Sequence, residues 1–204
     1  VPATEVVENC AAPNAAVDAI VAAAVEAASV EGAKVVTTID NGFYRGVNED
    51  GAPGSNRGVE SSLSNLIAEA GLWAVNDATS LNADIGFMNA GGVRADLEAG
   101  EVTFADVYAI QNFSNTYGAR DLTGAQFKKA LEQQWKETGD RPRLALGLSN
   151  NVQYSYDETR EYGDRITHIT FNGEPMDMKE TYRVTGSSFL LAGGDSFTAF
   201  AEGG

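Results

Sequence analysis

Apolar residues return at helical spacing through residues 14–30, where Val17, Ile20, Val21, Ala24 and Val25 share one stripe, so this segment predicts a helix. "AKVVTTID" then reads as a strand, and residues 46–58, "GVNEDGAPGSNRG", break the pattern with Gly, Asn and Pro and predict a polar loop. A second helix follows, with Leu63, Leu66, Ile67, Ala70 and Ala74 on one face, and "ADIGFMN" is a short apolar strand. Thr123 with Gln126 makes a capping box, opening a helix whose face carries Phe127, Ala130, Leu131 and Trp135. "RLALGLS", "NVQYSYDE", "ITHITFNG" and "TYRVTGSSF" all read as strands, the last ending at Phe189, with "FNGEP" as a hairpin turn. Residues 1–12 read as a frayed lead-in. Helices and strands interleave early and strands cluster late. The pattern predicts one α/β (mixed α+β) domain, a mixed β-sheet packed by helices.

Composition narrows what such a domain does. With 204 residues, 43% apolar and 9% aromatic, the chain is globular and long enough for one sizeable core. Fourteen basic side chains against 29 acidic ones give a net charge of −15. That balance opposes general affinity for nucleic acid or an anionic membrane surface. The longest apolar stretch, "AAVDAIVAAAVEAA", is broken by Asp18 and Glu26 and predicts no membrane insertion. A single cysteine, Cys10, excludes a disulfide framework and a Cys-based zinc site. His168 is the only histidine and lies in the alternating "RITHITF", so it reads as a structural or surface residue. No Gly-x-Ser-x-Gly elbow, phosphate-binding Walker loop or calcium-binding EF-hand loop is present, so no catalytic residue or metal ligand is assigned.

Four stretches instead suggest binding. In "FMNAGGVRADL" a strand runs into Asn89, Gly91, Gly92 and Arg94; two glycines bare the backbone for close approach and the arginine suits an anion. "NFSN" sets Phe113 and Asn115 two residues apart, on one face if extended. "SSFLLAGGDSF" holds Phe189, Gly193, Gly194 and Asp195, the aspartate also being readable as a helix N-cap. "SNRGVE" ends a loop on Arg57 just before the second helix. Two aromatic rings sandwich a planar base, an aspartate accepts hydrogen bonds from a ribose diol, and arginines hold phosphate bidentately. The inventory matches a nucleotide.

The order and spacing of these pieces resemble the C-terminal domain of the 5'-nucleotidase family, which includes ecto-5'-nucleotidase and bacterial UDP-sugar hydrolase. The likeness runs from about Arg57 to the last residue. It comprises Arg-x-x-Glu before "SLSNLIAEA", Asn-x-Gly-Gly-Val-Arg at 89–94, and Gly100 followed by Val102 and Thr103. Phe-x-Asn at 113–115, Leu-Thr-Gly at 122–124 and Phe-x-x-x-Gly-Gly-Asp at 189–195 complete it.

The resemblance implies a substrate-binding domain over residues 46–204, preceded by an interdomain connection over 1–45. It implies Phe113 and Phe189 as a clamp around the base, Asn115 at the base edge, and Asp195 on the ribose hydroxyls beside Gly193. Arg57 and Arg94 would bind ribose and phosphate, Gly91 and Gly92 would let the loop close on the substrate, and Asn89 would sit at the mouth facing the partner domain. That partner is a separate N-terminal metallophosphatase domain holding two divalent metal ions and the catalytic groups, so the chain alone is expected to bind nucleotides or nucleosides and to hydrolyse nothing. An extracellular, cell-surface or periplasmic location follows from the resemblance only. The same domain serves UDP-sugar hydrolases and 2',3'-cyclic-nucleotide phosphodiesterases, and a non-catalytic interaction module is the further alternative. Three departures stand out. Pro53 replaces an arginine found in some relatives, with Arg45 as a substitute. Asn112 replaces the usual Pro. "SNN" at 149–151 replaces Ser-Gly in one wall of the pocket.

Overall fold

The computed structural model describes residues 14–51, 54–137, 139 and 141–204; the expectations for residues 1–12, Cys10 and Pro53 lie outside them. Helix α1, Ala15–Gly32, starts where the Asn14 side chain accepts the backbone N–H groups of Ala16 and Val17. Among the described residues nothing buries its valine stripe, and Ile20 is 71% exposed. β1, Val35–Ile39, pairs antiparallel with β3, Gly100–Thr103, in a two-stranded sheet.

The second helix forms where its apolar face predicts, as α2, Ser62–Ala78, capped by Ser61. It lies across the central sheet, whose strands run β4 (Tyr117–Thr123), β9 (Thr181–Ser187), β2 (Ile85–Asn89), β5 (Leu146–Leu148). β2 is parallel to β9 and antiparallel to β5, and β9 is antiparallel to β4, so this is a mixed sheet. Contact between α2 and the sheet is backbone on backbone. A Cβ on Gly86 would come within 2.2 Å of the Ala68 carbonyl oxygen, and one on Gly147 within 2.3 Å of Ser64. On the other side sits α4, Gly124–Glu132, opened by the expected Thr123–Gln126 capping box. Trp135 falls beyond its end, bridged instead to Arg143. The main core joins Ile85, Phe87, Leu122, Phe127, Leu131 and Val184 with Phe197 and Phe200 from the C-terminal turns.

A third sheet holds β6 (Val152–Tyr156), β7 (Ile166–Phe171) and β8 (Glu174–Pro175). The β7–β8 hairpin turns on Asn172 and Gly173, both left-handed (φ 52° and 84°), as "FNGEP" predicts. His168 is exposed on β7.

One strand boundary differs from its expectation. β9 stops at Ser187, whose hydroxyl accepts the Leu190 N–H and opens the short helix α5, Ser188–Leu191. Phe189 is therefore on a helical turn, because a Ser cap outcompetes continuation of the strand. Helix α3, Phe104–Ile110, and strand β4 had no counterpart in the periodicity reading.

Arg45 fastens the early loop to the chain after β2. Its Nε and Nη2 donate to the two carboxylate oxygens of Asp96 at 3.0 and 3.1 Å, and its backbone N–H donates to the same carboxylate at 2.8 Å. Those side-chain bonds hold the Asp96 carboxyl below its ordinary value despite partial burial. A folded pKa below the unfolded one of about 4 means stability present at neutral pH and lost as pH falls through the folded value. Asp96→Asn is thus expected to lower stability at pH 7 by on the order of 1 kcal/mol, seen as a lower melting temperature, and to flatten its decline below about pH 4. Thermal unfolding of both proteins from pH 7 to pH 2 reads this directly.

Candidate functional site

The carboxyl end of β2 opens into a tight 3₁₀ turn, Ala90–Gly92, and the loops before α2, after α3 and after α5 converge on it. Between them is a cavity of about 220 Å³. Of the residues singled out in the sequence, Arg57, Asn89, Gly91, Gly92, Phe113, Asn115, Phe189 and Asp195 all line it. Phe113 and Phe189 stand on its walls, 48% and 44% exposed.

Its floor is a carboxylate–amide pair. Asn89 is 6% exposed and donates from Nδ2 to Asp195 Oδ2 at 2.7 Å. Asn89 is therefore not at the mouth: it is the last residue of a buried strand, and its amide is spent in fixing Asp195. Asp195 itself is left-handed (φ 53°) and caps no helix. Lys136 Nζ donates to the Asp195 carbonyl at 2.8 Å and lies 4.1 Å from the Phe197 ring centre, tying that strained residue to the core. Gly91 is closely faced, since a Cβ there would sit 3.2 Å from Arg57 Nη1 and 3.3 Å from Asp195 Oδ2, and those side-chain ends would have to shift by a few tenths of an ångström.

Two of the singled-out residues lie outside the cavity. Gly193 turns the chain in a left-handed conformation (φ 88°), its N–H donating to the Leu190 carbonyl at 2.8 Å. The glycine that shapes the cavity is its neighbour Gly194, where a Cβ would fall 2.5 Å from the Phe189 ring. Arg94 is exposed. It donates to the Gly91 carbonyl at 3.2 Å, with its guanidinium 6.0 Å from the Phe113 ring centre. It faces an adjoining cavity of about 150 Å³, lined also by Arg45, Arg57 and Ser61.

Arg57 belongs to both cavities and joins them. Its guanidinium is pushed below its ordinary value first by burial, then by repulsion from Arg141 and Arg94, with Asp195 opposing. In a strongly acidic chain, this is a local concentration of positive charge that an anion would relieve. Arg45, considered as a replacement for the absent arginine at Pro53, has its fork taken by Asp96.

The "SNN" stretch is not part of this site. Ser149 and Asn150 line a separate cavity of about 500 Å³ over β6, and Asn151 donates to the Asp84 carbonyl at 2.8 Å. Three other residues do line the site, Met88, Gln111 and Ser187. Gln111 and Ser187 immediately follow and precede segments whose ends the sequence pattern left unread, so nothing but the tertiary fold reveals them. Among the described residues, no group of three or more His, Cys, Asp or Glu side chains is placed to hold a metal ion. Among them, too, no helix is long and apolar enough to cross a membrane.

A family model described as "5'-nucleotidase, C-terminal domain" matches residues 35–202. The chain belongs to this family. It is 32% identical over 168 residues to the trifunctional nucleotide phosphoesterase protein YfkN of Bacillus subtilis, covering 78% of this chain and 11% of that protein. It is 30% identical over 152 residues to a cell wall protein of Listeria monocytogenes, covering 70% of this chain and 19% of that protein. Among solved structures, the 5'-nucleotidase precursor of Thermus thermophilus superposes with a TM-score of 0.72 and 28% identity, over 90% of this chain and 36% of that one. The chain thus spans roughly a tenth to a third of the relatives it matches, and its mixed α/β fold is that of their C-terminal domain.

Proposed function

We propose that this domain binds the nucleoside part of a nucleotide in the cavity at the end of β2. The base lies between Phe113 and Phe189 with Asn115 at its edge, Asp195 accepts hydrogen bonds from the ribose hydroxyls, and Arg57 and Arg94 hold the phosphate. Gly91 and Gly92 keep the backbone low enough for the ribose to approach, and Gly193 turns the chain that carries Asp195. One observation carries the reading: eight dispersed residues, two half-exposed rings and an oriented carboxylate among them, line a single cavity. The family membership supports it.

In the whole protein the domain would select substrate for a metal-dependent hydrolase of nucleoside 5'-monophosphates. The catalytic groups and two divalent metal ions would belong to a separate N-terminal metallophosphatase domain. The cell wall name of the Listeria relative supports a location outside the cytoplasm. A second reading, an extended substrate such as a UDP-sugar, is favoured by the adjoining cavity, where Arg57 and Arg94 offer room for a further anionic group.

Calorimetric titration of this chain in EDTA with adenosine, AMP and UDP-glucose tests the proposal. Adenosine is expected to bind at micromolar to millimolar strength, AMP more tightly, and Asp195→Ala to weaken both. UDP-glucose stronger than AMP would select the second reading. No heat from any of the three at millimolar concentration, with the chain folded, would reject binding here.

A further inference from the structure

Gln111 follows directly on α3 and lines the same cavity as Phe113 and Asn115. Its Nε2 lies 3.7 Å from Met88 Sδ and 3.3 Å from the Tyr117 hydroxyl. A thioether sulfur accepts but cannot donate, so the nitrogen end must face it, and the carbonyl oxygen Oε1 is left as an acceptor. Asn115 is oriented the other way. Its Oδ1 accepts from the Ser188 hydroxyl at 3.5 Å, which leaves its amide N–H groups as donors. Gln111 is half-buried and Asn115 exposed. The site therefore offers an acceptor at its inner end and a donor at its outer end.

We propose that Gln111 selects bases carrying an exocyclic amino group, adenine over hypoxanthine and cytosine over uracil. The inference rests on the nucleoside reading above. An amino group donates to Gln111 Oε1 while the adjacent ring nitrogen accepts from Asn115. An oxo group in the same place sets two acceptors against each other, with a ring N–H against a donor. Rotating the Gln111 amide to relieve this would set its oxygen against Met88 Sδ, which has no hydrogen to give. A partly desolvated polar mismatch of this kind discriminates better than any change of shape.

Adenosine against inosine and cytidine against uridine, each titrated into the whole chain by calorimetry, provide the test, because each pair differs at the exocyclic position and its neighbouring nitrogen. The wild-type chain is expected to prefer the amino member by about tenfold. Gln111→Leu, which removes the acceptor, is expected to bring each pair within about threefold, chiefly by weakening the amino member. Gln111→Glu keeps an acceptor and is expected to keep the preference. A wild-type preference for inosine or uridine, equal binding within each pair, or a preference surviving in Gln111→Leu overturns the proposal. A failure of the underlying reading looks different: no nucleoside binds, or binding is indifferent to Phe189→Ala.

Discussion

Phe113→Ala and Phe189→Ala are each expected to weaken adenosine binding by between about fivefold and 150-fold, and the double substitution to abolish it at millimolar ligand. A base stacked on an aromatic side chain is worth about 1–3 kcal/mol by alanine substitution, and each 1.4 kcal/mol is about tenfold in affinity. Two rings on one base approach the whole binding energy of a millimolar to micromolar ligand. The same substitutions should leave the melting temperature within about 2 °C of wild type. Both side chains are nearly half exposed, so little core is lost with either. That separation of effects is what distinguishes a ligand clamp from packing. Gly194→Ala offers a second view of the same contact. Its methyl group would need the space that the Phe189 ring occupies, since the added Cβ would lie 2.5 Å from it. It is expected to weaken binding by displacing the ring although it removes no contact to ligand. Affinity unchanged in the double substitution, measured by calorimetry with the fold verified by circular dichroism, would remove the base clamp from the proposed function.

The sequence made the strongly periodic elements legible and missed those whose stability comes from pairing. α2 and α4 announced themselves by apolar faces, and the Thr123–Gln126 box by its two side chains. β4 escaped because "YGARDLT" alternates poorly: Gly118, Ala119 and Asp121 are poor strand formers in isolation. What holds it is its seven-residue register with β9 and the Asp121–Arg183 ion pair across that register. α3 carried a readable signal, the Thr103–Asp106 capping box, but its seven residues are too few for periodicity to show. At the site, glycine pairs and loop aromatics pointed to loops that the fold brings to one cavity. Their exact duties followed from three-dimensional neighbours. Gly194 rather than Gly193 accommodates the ring, Asn89 serves Asp195, and Arg45 serves Asp96. Lys136 gave no local signal. Its bond to the Asp195 carbonyl joins residues 59 apart in the chain.

Phe87→Ala should destabilise the domain most among single truncations in β2. Phe87 is 1% exposed at the centre of the central sheet, its ring stacked on Phe200 with centres 4.0 Å apart and planes 5° apart. On β9 beside it, Gly186 leaves the space the ring fills, since a Cβ there would lie 2.7 Å from Phe87. The ring thus joins the sheet to the C-terminal turns, and Gly186 beside it has no side chain with which to fill the void. Truncating such a phenylalanine costs about 3–5 kcal/mol. In a chain of this size each kcal/mol lowers the melting temperature by about 2–4 °C, so a fall of roughly 6–20 °C is expected by calorimetric or circular-dichroism melting. Phe87→Leu, which keeps much of the volume, should lose far less. Phe87 also lies two residues before Asn89 on the same strand, so the two side chains share a face. Loosening the strand should loosen the Asn89–Asp195 bond with it. Adenosine affinity in Phe87→Ala is accordingly expected to fall at temperatures where the protein is still folded, although the ring touches no part of the cavity. A melting shift under about 3 °C would mean that the C-terminal turns repack over the gap. Undiminished affinity would mean that Asp195 is held by Lys136 and its own turn rather than through β2.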